Sequence, residues 1–213
     1  MLYYKKTKIG GGTMNIFPLL YTPIMQPVEN QFLYALRQKH IPSLSGHVLE
    51  IGSGPGANFP YYRAATKVTA IEPNDRMRLL SLPAQLHAQV PIRTLGSSAE
   101  RLPFEDNTFD SLACTLVLCS VGDPLRVLQE LKRVCKPGAE AYFLEHVQMP
   151  QPAAAKLQHN ITPVWKHFCD GCHLDRPTRS YIEQAGWSIT GTDSYFQGFL
   201  LSMQAVLPSE PSS

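Results

Sequence analysis

From about Gly46 onward the chain alternates short apolar runs with stretches whose apolar residues recur at helical spacing. That alternation predicts βαβ units on a parallel sheet. Val48 to Ile51 reads as the first strand, followed by Gly/Pro punctuation and a modest helix to about Ala64. Lys67 to Ile71 reads as the second, and Pro73 then suits the first turn of a helix, where a missing N–H costs nothing, with an end near Pro83. A shorter third strand is expected around Pro91 to Leu95. Phe109 to Cys119 is too apolar to face water on one side, which predicts a fourth strand buried on both faces near the sheet centre. Asp123 is placed to cap a helix carrying Leu125, Leu128, Leu131 and Val134, and Lys136, Pro137 and Gly138 stop it. Ala141 to Val147 supplies the fifth strand. Beyond Pro150 the pattern predicts a helix around Ala153 to His167, a loop through Asp170, Gly171 and Cys172, and a helix from Pro177 to Ala185. Trp187 to Phe196 and Phe199 to Val206 flank Gln197 and Gly198 closely enough to form a hairpin.

A chain of 213 residues suits one domain, and 44% hydrophobic with 17% charged residues is an ordinary globular balance. The domain is expected over residues 46–208, preceded by an N-terminal segment and lid helix over 1–45 and followed by a loose tail over 209–213. A net charge of +2 without a dense Lys/Arg stripe argues against a nucleic-acid partner. Five cysteines, none framing a short loop, indicate thiols kept in a reducing, cytoplasmic setting. Lys5, Lys6 and Lys8 precede a weakly charged stretch, but Gly10 to Gly12, Pro18 and Pro23 interrupt it, so export is not expected. No segment has the length of a membrane-spanning helix.

The sharpest local signal is Glu50, Ile51, Gly52, Ser53, Gly54, Pro55, Gly56 and Ala57 between the first strand and its helix. Glycines there permit positive φ and let a ligand lie on bare backbone. Glu72, about twenty residues on, stands where a carboxylate accepts from both hydroxyls of a ribose. Together they predict an adenosine-type ligand. Glu50 sits where an anion would repel a pyrophosphate but pair with an amino acid's ammonium, which favours a methionine tail. Gly52, Gly54 and Ala57 also satisfy G-x-G-x-x-A, leaving a dehydrogenase formally open, although the terminal hairpin argues against it. The turn GSSAERLPF could present Ser98 and the backbone of Ala99 to an adenine edge, or be a solvated loop. Thr115 and Leu116 fall where the fourth strand meets the ligand crevice.

The segments VLEIGSGPG, IEPN, SSAERLPF, FDSLACTLVLCSV and LQELKRVCKPGAEAYFLEHV resemble the successive motifs of class I S-adenosylmethionine-dependent methyltransferases of the ubiquinone/menaquinone type. TLVLCSV, FLEHV and PVWKHFCDGCHLDR are similar to the methyltransferase-like proteins that act as alkyl-thiol S-methyltransferases. The resemblance implies an α/β, Rossmann-like seven-stranded sheet with helices on both faces and a terminal antiparallel hairpin. It implies S-adenosylmethionine as cofactor, with Glu50, Gly52, Gly54 and Gly56 around the methionine part, Glu72 on the ribose, and Asn74 with Met77 about the adenine. Ser53, Pro73, Ser98, Ala99, Glu100, Thr115 and Leu116 complete the expected cofactor set. Ser98 departs from the broader family, which often has Asp there, so the Ala99 backbone is the firmer adenine contact. The thiol-methylating relatives carry an apolar N-terminal anchor that is not carried over here. Stable membrane insertion is therefore not expected, peripheral contact stays open, and a monomer or homodimer is anticipated.

The implied reaction is methylation of a small, apolar acceptor. Thiol sulfur is favoured; an oxygen, carbon or amine acceptor, such as a quinone precursor or lipid headgroup, is the alternative, and a haem- or metal-binding module or a silent scaffold are further ones. Methyl transfer from a sulfonium is an in-line displacement, so placement in a dry pocket is the main task and a base is optional. The acceptor-side candidates are Tyr21, His146 and Asp170 as catalytic residues, with Trp165 and His173 as lining. For each a plain structural role competes: backbone-satisfied His146, core Trp165, a turn cap at Asp170. Cys169 to His173 spells C-x-x-C-H, a haem-attachment pattern, yet haem needs export, a structural zinc needs a second closely spaced pair, and a redox C-x-x-C opens a helix. The segment is therefore read as a loop, with no metal.

Overall fold

A computed structural model describes residues 32–169 and 171–209. Its centre is a seven-stranded sheet in the order β3-β2-β1-β4-β5-β7-β6. The strands are β1 (Gly46–Ile51), β2 (Ala65–Ile71), β3 (Ile92–Leu95), β4 (Phe109–Thr115), β5 (Cys135–His146), β6 (Ser188–Tyr195) and β7 (Leu200–Val206). β1 pairs in parallel with β2 on one side and β4 on the other, and β4 with β5. β7 runs antiparallel to both β5 and β6, so the expected terminal hairpin is present. After β1 the chain builds outward through β2 and β3, then returns to the far side of β1 as β4. That reversal opens a crevice at the carboxyl ends of β1 and β4, where open α/β sheets bind ligands.

Alternate residues of the central strands enter two different cores. Leu49, Ile51, Leu112, Cys114 and Phe143 join one, while Val48, Ala113, Tyr142 and Leu144 join the other. A strand whose two faces are both covered must be apolar at every position, the continuous pattern seen in β4. One face is covered by α3 (Pro124–Val134) and α5 (Thr178–Gln184) through Val127, Leu128, Leu131 and Ile182. The other is covered by α1 (Tyr34–His40), the end of α2 (Asp75–Leu86) and the turn after β1. Helix α4 (Pro152–Phe168) follows β5.

Five boundaries differ from the sequence reading, the simplest being β5, which begins at Cys135 rather than Ala141 because Cys135 already pairs with Phe109 ahead of a register shift. The first crossover forms only a 3₁₀ turn, Phe59–Tyr61, because a helix to Ala64 would carry Pro60 in its interior without an N–H to donate. Helix α2 begins after Pro73: Asn74 is its N-cap, accepting from the Arg76 and Met77 amides, and satisfies donors that Pro73 could not. It also runs past Pro83 to Leu86; the carbonyl left without its helical partner is that of Leu79, an exposed residue that water can reach. Finally, β4 stops at Thr115 rather than Cys119, because Leu116 adopts φ 59° and the next three amides turn onto a buried carboxylate.

Candidate active site

The glycine turn leaves β1 at the crevice. Gly52, at φ 60°, is required by close approach: a Cβ there would lie 2.4 Å from Cγ2 of Val117, so the turn after β4 packs directly on it. Gly54, at φ 52°, faces the other way, and the nearest atom to a Cβ there is the Met77 methyl at 3.9 Å. Its open face is the cradle a side chain would fill. Between them the Ser53 hydroxyl is buried and has no hydrogen-bond partner among the described residues. Such a group is costly unless a ligand completes it.

Glu72, at the tip of β2 and buried, ties the cradle to the next loop: Oε2 accepts from the Gly54 amide at 3.0 Å and Oε1 from the Asn74 amide at 2.8 Å. Of the expected adenine neighbours, Pro73 is exposed, Asn74 is engaged as the α2 cap, and Met77 is buried beneath Gly54. Ser98 is exposed and its hydroxyl accepts from the Glu100 amide, Ala99 is buried, and Glu100 accepts the Asp123 amide at the start of α3. Glu100 thus has a structural task that its position in the sequence did not disclose.

Glu50 is fully enclosed. Asn58 Nδ2 donates to Oε1 at 3.0 Å and the Tyr62 hydroxyl to Oε2 at 2.7 Å. Arg37 donates to Asn58 Oδ1 and, at 3.3 Å, to Thr115 Oγ1, which also receives Asn58 Nδ2 at 3.2 Å. Burial pushes the Glu50 carboxyl up to about 7 against the pull of Tyr62, Asn58 and Arg37, and burial likewise raises the Tyr62 phenol. This network joins α1, the glycine turn and β4. Arg37, Asn58 and Tyr62 were not singled out from the sequence; the only local hint was Asn58 and Tyr62 four residues apart after the turn.

A third buried carboxylate, Glu145 in β5, carries no signal in the sequence. Oε1 accepts the Val117 and Leu118 amides at 2.9 and 3.0 Å and the Cys114 thiol at 3.3 Å, while Oε2 accepts the Cys119 amide at 3.3 Å. Three successive amides on one carboxylate explain the sharp turn after Thr115. Burial raises its pKa and those amides oppose the rise.

Beside it stands His146, at the end of β5, packed on the Phe199 ring at 4.8 Å and with Nδ1 3.8 Å from Cys172 Sγ. Cys119 completes a group of three whose Sγ and ring-nitrogen atoms lie within 4.8 Å of one another. Cys172 is the member held below the usual thiol range, by a hydrogen bond from Cys119 and by His146 and Trp165, whereas that same shared proton and burial raise Cys119. His173 donates its amide to the Cys119 carbonyl at 2.7 Å, and its ring is 3.8 Å from Asp175. Trp165 is partly exposed but reaches Cys172. Tyr21 and Asp170 lie outside the described residues.

A bare glycine cradle and an acidic strand tip at a topological switch point define a nucleotide-binding α/β protein. A family model for the methyltransferase domain matches residues 49–143. Rat thiol S-methyltransferase TMT1B is 42% identical over 145 residues, 66% of this chain and 59% of that protein. Human TMT1B is 35% identical over 184 residues, 81% of this chain and 75% of that protein. The chain thus spans about three fifths of the rat relative's length. A Haloferax volcanii methyltransferase in complex with the activator Trm112 superposes with TM-score 0.70 at 15% identity, covering 92% of this chain and all of that one. The chain belongs to this family, the class I S-adenosylmethionine-dependent methyltransferases. The open face of Gly54, the partnerless Ser53 hydroxyl and the Glu72 carboxylate fit that cofactor's methionine and ribose parts.

Proposed function

We propose that this chain methylates the sulfur of a small, apolar thiol. The observation that carries the reading is the cradle itself: bare backbone at Gly54, with the buried Ser53 hydroxyl beside it and Glu72 beneath. The relatives named as thiol S-methyltransferases, aligned over most of the chain, support sulfur as the acceptor.

When bound, S-adenosylmethionine supplies a sulfonium-bound methyl group as electrophile. Ser53 and Gly54 would hold the amino-acid arm, with the enclosed Glu50 acting on its ammonium as a buried charge and Gly52 and Gly56 shaping the turn. Glu72 receives the ribose hydroxyls, and Asn74, Met77, Ser98 and Ala99 border the adenine, flanked by Pro73 and Glu100. Thr115 and Leu116 close the crevice from β4. The 116–119 turn, clamped by Glu145, and His146 form the acceptor wall on the same edge of the sheet. His146, with Nδ1 towards Cys172, is retained as an acceptor-side group. Tyr21 and Asp170 are retained as further acceptor-side groups. A thiol is already about 3% ionised at pH 7 and needs little more than placement.

The reading extends to one methyltransferase domain over 46–208 in a reducing, cytoplasmic setting, as a monomer or homodimer. The free state of all five cysteines supports that setting. Among the described residues no helix is long and apolar enough to cross a membrane. Incubation with methyl-labelled S-adenosylmethionine and a panel of alkyl thiols, phenols and amines tests the acceptor. Label in the thioether is expected; inert thiols alongside a methylated phenol or amine would transfer the assignment to a quinone precursor or lipid headgroup.

A further inference from the structure

The geometry points to Cys119, His146 and Cys172 as a binding site for one Zn²⁺-class ion, with a vacant fourth position that takes the acceptor's sulfur. The second half rests on the thiol-methylation reading above; the first does not.

Three donors arrive from three separate segments: the turn after β4, the last residue of β5, and the loop after α4. Their ligand atoms all lie within 4.8 Å of one another, and among the described residues no other group of three His, Cys, Asp or Glu does so. Around a tetrahedral zinc, with Zn–S near 2.3 Å and Zn–N near 2.0 Å, sulfur and nitrogen ligands stand about 3.6 Å apart. The observed 3.8 Å between Cys172 Sγ and His146 Nδ1 needs almost no adjustment. Two thiols and an imidazole are a soft donor set that selects zinc or a similar ion over magnesium or calcium. Cys169 is not part of the group, so the C-x-x-C spacing is incidental to it.

The surroundings are those of a built site. Glu145 fixes the Cys119 amide, the His173 amide donates to the Cys119 carbonyl, the Cys172 amide is held by the Cys169 carbonyl, and Phe199 packs on the His146 ring. Such outer contacts orient metal ligands and sharpen affinity. Two thiolates on a divalent ion make the centre neutral overall, so the Arg176 guanidinium close to both cysteines is not repelled. Three protein ligands with one position open is the arrangement that accepts an exogenous ligand, whereas a closed structural site has four.

The group lies at the same carboxyl-terminal edge of the parallel strands as the cofactor turn. Cys119 is two residues from Val117, which touches Gly52 of the cofactor turn. As an acceptor thiol R–SH binds, a sulfur–metal bond forms and its proton passes to solvent; a coordinated thiol is deprotonated outright. The sulfur keeps a lone pair for alkylation. With about 3% of a free thiol ionised at pH 7, complete deprotonation is worth about 30-fold in thiolate.

The test uses the full chain, stripped by chelator under a phosphine reductant and titrated with Co²⁺. One equivalent should give the intense visible bands of tetrahedral cobalt and a near-ultraviolet sulfur-to-cobalt band. A simple alkanethiol should then raise that band by about half, as two thiolates become three. Cys119→Ser and Cys172→Ser should weaken both features while Cys169→Ser keeps them; the wild-type spectrum decides even where a variant folds poorly. Thiol methylation by the stripped chain should fall about 30-fold at pH 7, return with Zn²⁺, and recover unaided toward pH 9. A pale octahedral spectrum, or a signal lost with Cys169 but kept without Cys119, would overturn the site. Full activity in the stripped chain at pH 7 would overturn the acceptor role and leave thiol methylation standing. A thiol that perturbs the cobalt spectrum yet is never methylated would support the site and sink the proposed reaction.

Discussion

Substituting Glu50 by glutamine should change the shape of the stability–pH curve, and the direction follows from the burial of the carboxyl. In the folded chain the group holds its proton up to about pH 7, against an ordinary value of 4.5. Between those values the folded state binds a proton that the unfolded chain has released, so stability falls as pH rises through the window and is level beyond both ends. At 1.36 kcal/mol per pKa unit the interval amounts to about 3 kcal/mol. Glu50→Gln has nothing to titrate. It also alters the hydrogen bonds, since one of the two oxygen positions becomes an NH2 that donates instead of accepting, so Asn58 or Tyr62 must turn, a fixed offset of about 1 kcal/mol. The offset cancels when the difference between the two proteins is followed with pH. That difference should move by about 3 kcal/mol in favour of the variant between pH 4.5 and 8, or about 6–12 °C in melting temperature for a chain of this size. Thermal melts of both proteins at closely spaced pH provide the measurement. Calorimetry at pH 8 should show the variant binding S-adenosylmethionine at least tenfold more weakly, because the ammonium has lost the field of a buried anion. Parallel stability curves would mean that Arg37 holds Glu50 ionised throughout, and the account of the network would be wrong.

The other substitutions separate holding the cofactor from holding the fold. Ser53→Ala removes a buried hydroxyl with no partner among the described residues, so the apo chain should be unchanged or stabilised by about 1 kcal/mol while cofactor affinity drops, measured by melting with and without ligand. Gly54→Ala should cost about 1–2 kcal/mol for its left-handed backbone and far more in affinity, whereas Gly52→Ala adds a clash with Val117 and should lose the larger share in stability; denaturant melts and ligand titrations distinguish the two. Glu145→Gln leaves three backbone amides short of a full acceptor and should cost about 2–3 kcal/mol at constant m-value in urea; an unchanged midpoint would deny that this carboxylate shapes the turn.

What could be read in the chain beforehand was what short stretches decide for themselves. Alternation of two periods gave the strand and helix sequence, Asp123 with Pro124 started α3, Pro137 and Gly138 ended it, and the glycines between Glu50 and Ala57 marked the crevice. The misread boundaries were also local in cause but depended on weighing two signals at once. Pro60 overrode the helical spacing after the turn, and the Asn74 side chain outcompeted Pro73 for the start of α2. The end of β4 was of another kind. Nothing within Thr115 to Cys119 requires a turn there; the cause is Glu145, brought alongside because Thr115 pairs with Leu144 in the parallel register.

That register carries further than one turn. Side chains alternate across a strand, so with Leu144 directed into one core, Glu145 points to the opposite face and His146 to the side of Leu144 again. Glu145 therefore meets the amides of 117–119, and the bend it imposes carries Cys119 to His146 at the strand end and to Cys172 arriving after α4. In sequence these three residues are 27 and 26 positions apart, and the only pattern that spacing offered was Cys169 with Cys172, of which the first is not a member. The polar group around Glu50 has the same character: Arg37, Asn58 and Thr115 meet because α1 and β4 both pack against β1. The glycine turn lies in one contiguous stretch and was legible for that reason. The cysteine–histidine group is instead assembled by strand register, so a one-residue slip between β4 and β5 would dismantle it entirely.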